Sequence, residues 1–256
     1  MKINITLMYL LLSVAAMSQT NPQELYEAGN LNFKSGNFEK AIENYTELMN
    51  MVDEKSVQKT CYINRGLSYD RMKLYDLAIT DFTEAIKLDS TDMASFIDRG
   101  LSRMHAGYLD KAKQDYNYVV YKNNDKRMLE AALYWLARIH YAEGAFEKVI
   151  QNCDQYFRIN PNDPELYFIR GTANDMLRNF QQSISDYDKA IEIKPNYVQA
   201  IANRGTAKIN LLTGSGNLQP TKKETKDACR DLKKAKEFGD SSVDDLIFVY
   251  CDRKNK

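Results

Sequence analysis

The sequence contains few of the residues that interrupt helices or build metal centres. Among 256 residues there are 11 glycines and 5 prolines, too few for a β-sandwich with many turns or for a disordered linker. The two histidines, His105 and His140, have no second histidine or carboxylate at the spacing of metal ligands. The 35 basic and 35 acidic side chains balance, whereas nucleic-acid-binding proteins usually carry a basic excess. We therefore expect an ordered helical protein with no bound metal and no nucleic-acid partner.

Motifs of the common enzyme classes are also missing. The sequence has no glycine-rich phosphate loop, nucleophile elbow or zinc motif. The paired carboxylates Asp244 and Asp245 are adjacent, so on a helix they point in different directions and do not suit acid–base catalysis. The sequence thus predicts a protein that is not an enzyme and that uses no cofactor.

Positions 1–18 have the pattern of a secretory signal peptide. Lys2 supplies the positive charge, residues 5–16 are apolar, and Ala16 and Ser18 are the small residues that cleavage requires, which makes Gln19 the predicted first residue of the mature chain. The alternative is an uncleaved anchor, but a membrane span needs roughly 20 apolar residues. No later stretch is apolar enough to span a membrane. We expect export to the periplasm or cell envelope.

A repeat organises the rest of the chain. Its glycine recurs at spacings of 37, 34, 37, 34 and 34 residues, with alanine in one unit: Gly29, Gly66, Gly100, Ala137, Gly171 and Gly205. Twelve residues after the first five of these comes a small or β-branched residue, and four residues later comes an aromatic residue, or Cys153 in the fourth unit. In the last unit Ala228 takes the place of the small residue, and the longer interval from Gly205 indicates an insertion. Spacings of three, four and seven are helical, and each unit therefore predicts two amphipathic helices.

This helix–turn–helix period resembles the tetratricopeptide (TPR) repeat. Residues 62–89 and 167–195 carry the resemblance most closely, and it extends over about residues 22–238. It implies an all-α, right-handed solenoid whose stacked units share one core and which binds other proteins. We predict a signal peptide at 1–18, an exposed loop at 213–225 inside the sixth repeat, and a cap helix at 241–251. The six repeats are 22–58, 59–92, 93–129, 130–163, 164–197 and 198–238.

Arginine and aspartate vary together between the repeats. Four repeats have arginine just before the glycine and aspartate on the second helix, whereas Ala28 and Leu136 are accompanied by Asn44 and Asn152. This covariation predicts a partly buried ion pair within each of the four repeats. The alternative, a row of phosphate or carboxylate binders, is less favoured because each arginine has a partner. The predicted pairs are Arg65–Asp81, Arg99–Asp115, Arg170–Asp186 and Arg204–Asp231.

The resemblance places a binding groove along the first helices of the repeats. Aromatic residues and arginine are the usual anchors of such surfaces. The alternative for each residue is that it packs against the neighbouring repeat as part of the core. The predicted groove residues are Tyr26, Phe33, Ile63, Ile97, Leu101, Tyr134, Arg138, Tyr141 and Phe168. Because Tyr26 and Ile63 stand where basic or polar groups would be needed, the carboxylate clamp of some TPR modules is not expected.

Two of the four cysteines can face each other near the end of the chain. If the last two helices turn back near Asp240, Cys229 and Cys251 are equally distant from the turn. An exported protein folds where disulfides persist, so a bridge is one interpretation and a pair of buried thiols is the other. Cys61 and Cys153 are too far apart along the repeats to pair.

The sequence thus favours an exported TPR scaffold or adaptor that binds a protein or peptide in its groove. The alternative is a structural subunit that self-associates within an envelope complex. The stretch 222–236, with seven basic and three acidic residues, is interpreted as a solvated helix face.

Overall fold

The computed structural model describes residues 21–122, 125–217 and 219–252, and none of these residues forms a strand. The predicted signal peptide therefore lies outside the described residues. The chain divides into two compact units, the first extending to Tyr108 and the second beginning at Leu109. Unit 1 contains α1 (Pro22–Lys34), α2 (Phe38–Met51), α3 (Lys55–Arg71), α4 (Tyr75–Leu88) and α5 (Met93–His105). Unit 2 contains α6 (Leu109–Lys122), α7 (Lys126–Ala142), α8 (Phe146–Phe157), α9 (Pro164–Met176), α10 (Phe180–Ile193), α11 (Val198–Gly214) and α12 (Lys226–Glu237).

Odd-numbered helices from α1 to α11 are the first helices of the repeats, and even-numbered ones are the second helices. The longer of the two glycine spacings has a simple cause, because α3 and α7 have an additional first turn. They begin 11 residues before Gly66 and Ala137, whereas α1 and α5 begin seven residues before their glycines. Side chains cap several first helices: Asn21 accepts a hydrogen bond from the backbone of Gln23 at 3.0 Å, and Asp163 accepts bonds from Glu165 and Leu166.

The insertion in the sixth repeat is more ordered than the sequence predicts. An exposed loop is expected over 213–225, but α11 continues through Gly214, and Pro220 and Thr225 are buried. The Thr225 hydroxyl also donates a hydrogen bond to the backbone oxygen of Tyr250, at 3.3 Å. The insertion therefore begins as an extension of α11 and ends in a segment that Thr225 attaches to the terminal part of the chain.

The segment after α12 is helical but is not the regular cap helix that the sequence predicts. It consists of a 3₁₀ turn (Ser241–Val243), a short α-helical stretch (Asp244–Leu246) and a π-helical turn (Ile247–Cys251). We call residues 241–251 the terminal segment. Val243 and Ile247 are buried against the apolar side of α12, in a cluster with Ala228 and Leu232.

The repeated glycine lets a large side chain of the second helix approach the first helix. A Cβ atom on Gly171 would lie 2.8 Å from Cε1 of Tyr187, and one on Gly29 would lie 2.6 Å from Cε1 of Tyr45. Both tyrosines are almost fully buried. In the fourth repeat Ala137 replaces the glycine, and the facing residue is the smaller Cys153. The sizes of the two facing residues therefore compensate each other.

The arginines before the glycines bond to two second helices at once. Arg170 donates to Asp186 of its own repeat, with Nη2 2.5 Å from Oδ1, and to Asp154 of the preceding repeat. The same arrangement joins Arg204 to Asp231 and Asp188, and Arg65 to Asp81 and Thr46. In the fourth predicted pair, Arg99 belongs to unit 1 and Asp115 to unit 2, and this pair stays a prediction.

The asparagines of the first and fourth repeats find another partner on the first helix. Asn44 accepts a hydrogen bond from Asn32 at 3.0 Å, and Nδ2 of Asn152 lies 3.1 Å from Nδ1 of His140. These partners stand four residues after Ala28 and Leu136, on the same side of the helix. A neutral second-helix residue is thus satisfied without the arginine.

Candidate functional site

The first helices form a layer of their own within each unit. In unit 1, α3 contacts α5, and in unit 2, α7 contacts α9, which also contacts α11. We call the exposed side of this layer the first-helix face. All nine predicted groove residues lie on first helices, and all are half-buried. Each therefore presents one side to solvent and packs the other against its neighbours.

The first-helix face of unit 1 joins apolar side chains to amides. Tyr26 and Phe33 pack against the buried cluster around Leu25 and Tyr45, and Ile63, Ile97 and Leu101 are half-buried on α3 and α5. Oδ1 of Asn30 accepts hydrogen bonds from the Tyr45 hydroxyl at 2.8 Å and from Nδ2 of Asn64 at 3.4 Å.

Carboxylates accumulate on α3 and α5 in the same unit. Asp70 accepts a hydrogen bond from the Ser102 hydroxyl at 2.7 Å, and its Oδ1 atom lies 3.6 Å from Nδ1 of His105. Burial raises the pKa of Asp98 to about 6, and the negative charges of Asp92 and Asp70 contribute to that rise from its usual value. Asp98 therefore destabilises the folded unit when it is ionised.

Replacing Asp98 by asparagine is expected to stabilise unit 1 near neutral pH by up to about 3 kcal/mol. A carboxyl whose pKa is raised on folding costs stability as the pH rises from its unfolded value of about 4 to about 6. The Asp98→Asn variant should lose this pH dependence. Native-state hydrogen exchange of α3 and α5 at about pH 4 and pH 7 measures it. Asp53→Asn, at an exposed position, is the control, and an unaltered pH dependence in Asp98→Asn would contradict the assignment.

The strongest polar cluster of the first-helix face lies in unit 2. Arg138 forms a salt bridge with Glu165, and its Nη1 atom donates to the Tyr134 hydroxyl at 3.1 Å. The Tyr134 hydroxyl in turn donates to Oε2 of Glu165 at 3.0 Å. The guanidinium carbon lies 5.5 Å from the ring centre of Tyr134 and 5.6 Å from that of Trp135. Arg138 and Glu165 nevertheless keep 41% and 43% of their side chains exposed.

Further aromatic rings extend this cluster toward the fifth and sixth repeats. Phe168 lies 5.1 Å from Tyr197 between ring centres, and Tyr141 packs against the same core as Tyr134. Burial raises the pKa of Tyr197, and the charge of Glu165 raises it further. A surface depression of about 350 Å³ adjoins Glu165 and Tyr197; its other lining residues are Asn160, Asn162, Asp163, Pro164 and Lys194. We call Tyr134, Arg138, Tyr141, Glu165, Phe168 and Tyr197 the unit 2 cluster.

Three participants in this region are absent from the sequence-based set. Trp135 and Tyr197 supply rings, and Glu165 supplies the partner of Arg138. Glu165 lies in the first turn of the first helix of the following repeat, 27 residues after Arg138. The Pro164–Glu165 pair in the sequence indicates the first turn of a helix. Nothing in the sequence indicates that Arg138 bonds to a residue of the next repeat.

Titratable groups elsewhere are engaged in the core. Cys61 and Cys153 are fully buried, and burial raises the pKa of the first thiol to about 11 and that of the second to about 12. Burial also lowers the pKa of His140. Within the described ranges, no group of three or more His, Cys, Asp or Glu side chains is arranged to hold a metal ion.

Cys229 and Cys251 form a disulfide, with their Cα atoms 5.5 Å apart. The bridge ties the end of the terminal segment to α12 and lies among the ion pairs Lys233–Asp252 and Lys236–Asp244, which join α12 to the same part of the chain. None of the described helices combines the length and the apolar character that a membrane-spanning helix needs.

Family models described as tetratricopeptide repeat match the sequence in two places, residues 60–92 and 164–197. These matches coincide with the predicted second and fifth repeats. Among solved structures, the C-terminal part of a TPR repeat-containing protein from Cytophaga hutchinsonii is similar, with 20% identity, a TM-score of 0.64, and coverage of 90% of this chain and 96% of that one. YrrB, described as a TPR protein with an unusual peptide-binding site, has 16% identity and a TM-score of 0.62, covering 79% of this chain and 96% of its own.

Two sequence relatives are similar over shorter shares of their own length. The Hsp70-Hsp90 organizing protein of Triticum aestivum is 24% identical over 213 residues, which cover 70% of this chain and 36% of the wheat protein. DnaJ homolog subfamily C member 7 of Homo sapiens is 35% identical over 95 residues, which cover 36% of this chain and 19% of the human protein. The chain thus spans well under half the length of either relative.

Proposed function

Because the chain is built from tetratricopeptide repeats, we propose that it is a non-enzymatic scaffold or adaptor that binds a protein or peptide segment. The unit 2 cluster is the binding site in this proposal. Its aromatic rings, together with an arginine whose neighbours already hold it in place, have the composition of residues that dominate binding energy at protein interfaces.

One observation carries this proposal: Arg138 is fixed but remains accessible. Tyr134 and Glu165 hold its Nη1 atom, and the rings of Tyr134 and Trp135 flank it. An arginine that is ordered before binding loses less side-chain entropy when a partner arrives. The names of two similar proteins, a TPR protein with an unusual peptide-binding site and an Hsp70-Hsp90 organizing protein, support a binding role for the fold.

We also propose that the protein acts after export, in the periplasm or cell envelope. The charged, apolar and small residues of positions 1–18 support this, because they follow the order of a secretory signal. The Cys229–Cys251 bridge supports it independently, since disulfides persist mainly in oxidising compartments.

A Tyr134→Ala/Arg138→Ala variant is expected to lose at least tenfold of the affinity for the partner. Truncation removes two anchors near the centre of the proposed site, where a loss of about 1.4 kcal/mol corresponds to that factor. The measurement is affinity capture from a solubilised envelope fraction, followed by titration of the captured partner against wild type and variant. Circular dichroism must first establish that the variant is folded.

Tyr121→Ala is the matched control for this experiment. Tyr121 is 80% exposed, but it lies on a second helix, α6, and should not affect binding. A partner that binds the double variant as well as wild type would move the interface away from the unit 2 cluster. Equal losses in the double variant and in Tyr121→Ala would contradict a localised site.

The export proposal predicts a mature chain that begins at Gln19. Expression of the full sequence in a bacterium, fractionation and N-terminal sequencing of the product measure this directly. A product that keeps residues 1–18 in the cytoplasmic fraction would contradict export, whereas the same residues in the membrane fraction would favour the uncleaved anchor.

A further inference from the structure

The terminal segment begins in the same way as a first helix. Asp240 accepts a hydrogen bond from the backbone of Ser242 at 2.9 Å, as Asp163 does from that of Glu165 at the start of α9. Asp163 precedes Gly171 by eight residues, and the eighth residue after Asp240 is Phe248. By this alignment, Phe248 occupies the glycine position of a seventh first helix.

The contacts of the terminal segment with α12 support this alignment. We count positions in a first helix from its glycine and positions in a second helix from its small residue, such as Val149 or Ala228. Each of these reference residues is position 0. Arg170 at −1 bonds to Asp154 at +5 of the preceding repeat, so their two numbers add up to four. The same total holds for Arg204–Asp188 (−1 and +5), for Asp244–Lys236 (−4 and +8) and for Cys251–Cys229 (+3 and +1). The terminal segment therefore packs on α12 as a first helix packs on the preceding second helix.

The side that faces away from α12 is open. In a complete repeat the glycine is covered by a large residue of its own second helix, for example Tyr187 over Gly171. Within the described residues, nothing comparable covers the terminal segment, and Phe248 is 77% exposed. Asp244, at the position where other first helices have a large apolar residue, lies at the border of this side: its Oδ1 atom is 2.9 Å from Lys236 of α12, and 49% of its side chain stays exposed.

The residue at the glycine position decides which second helix can pack there. A Cβ atom at Gly171 already comes within 2.8 Å of Tyr187, so Phe248 cannot receive an aromatic residue in the same place. The fourth repeat shows the compensation, since Ala137 faces Cys153 rather than a ring. A helix that packs on Phe248 must therefore bring a still smaller residue.

We propose that the open side of the terminal segment docks an amphipathic helix of a partner, in the place that a second helix takes in a complete repeat. The partner helix carries glycine or alanine opposite Phe248 and a basic residue opposite Asp244. The docked helix would form the same interface that joins the first and second helices of a complete repeat. The large residue, Phe248, would lie on the first helix and the small residue on the second, the reverse of Gly171 and Tyr187. The surface is separate from the unit 2 cluster and does not rest on the function proposed for it.

Two lactam-bridged helical peptides test whether Phe248 requires a small residue opposite it. Both have the sequence of α8, Phe146–Phe157, with Phe157→Lys at the position that faces Asp244. One peptide carries Cys153→Gly and the other Cys153→Tyr, and each is labelled for fluorescence anisotropy. Wild-type chain should bind the Cys153→Gly peptide at least tenfold more tightly than the Cys153→Tyr peptide, and a Phe248→Gly chain should reverse this preference.

Because Phe248 is exposed, the Phe248→Gly chain should keep its fold, which circular dichroism verifies. Tyr121→Ala is the control chain and should show the wild-type preference. The proposal is overturned if wild type binds neither peptide, binds both equally, or shows a preference that Phe248→Gly leaves unaltered.

Discussion

Replacing Arg170 by alanine is expected to lower the free energy of unfolding of unit 2 by about 3–5 kcal/mol. The arginine bonds to Asp186 and Asp154 and stacks 4.7 Å from the ring centre of Phe157. Burial raises the pKa of Asp186, and the bonds from Arg170 oppose that shift. Without the arginine, a carboxylate whose side chain is only 6% exposed would remain buried with no cation beside it, and it would keep only the hydrogen bond from the Asn174 amide. Denaturant unfolding followed by circular dichroism measures the loss.

The chain itself suggests how to rescue this variant. The fourth repeat has Leu136 and Asn152 where the fifth has Arg170 and Asp186. Arg170→Leu combined with Asp186→Asn removes the charge together with its partner and should therefore recover most of the stability. Arg158→Ala, at an exposed arginine, should have little effect. Equal stability of Arg170→Ala and Arg158→Ala would show that the ion pair contributes nothing to the fold.

Removal of the Cys229–Cys251 bridge is the second large effect. The two cysteines are 22 residues apart, and a loop of this length corresponds to about 3 kcal/mol in the chain-entropy description. In a Cys229→Ser/Cys251→Ser variant, the terminal segment should detach first, because Val243 and Ile247 supply its main buried contacts. Hydrogen exchange should increase over residues 241–251 before any other part of unit 2 opens.

A reducing agent provides the matched comparison. Dithiothreitol should destabilise wild type by a similar amount and should leave the double variant unchanged, since Cys61 and Cys153 are unpaired thiols. If residues 241–251 exchange their amide hydrogens as slowly in the reduced wild type as in the oxidised wild type, the ion pairs and apolar contacts of the terminal segment suffice to hold it in place.

The repeat could be predicted from the sequence because its contacts are periodic. Gly171 faces Tyr187, and Arg65 meets Asp81, at the same interval of 16 residues, and both relations recur from repeat to repeat along the chain. Covariation within the sequence then identifies partners that a single repeat would not reveal.

Features that occur only once could not be predicted in the same way. Glu165 reaches Arg138 from the following repeat, and no second repeat has the same pair of residues. The terminal segment was assigned a regular cap helix from its apolar spacing, which does not distinguish an α-helix from a mixture of 3₁₀ and π turns. The insertion was assigned to a loop from its composition, although its first residues extend α11.

The double bonding of the arginines has a consequence for how unit 2 comes apart. Arg170 joins the fourth repeat to the fifth, and Arg204 joins the fifth to the sixth. In a nearest-neighbour description, each guanidinium contributes both to the intrinsic stability of its own repeat and to the coupling with the repeat before it. When one of these repeats unfolds, the neighbouring repeat loses a hydrogen-bonded ion pair. The fourth to sixth repeats should therefore unfold as one cooperative block rather than fray from an end.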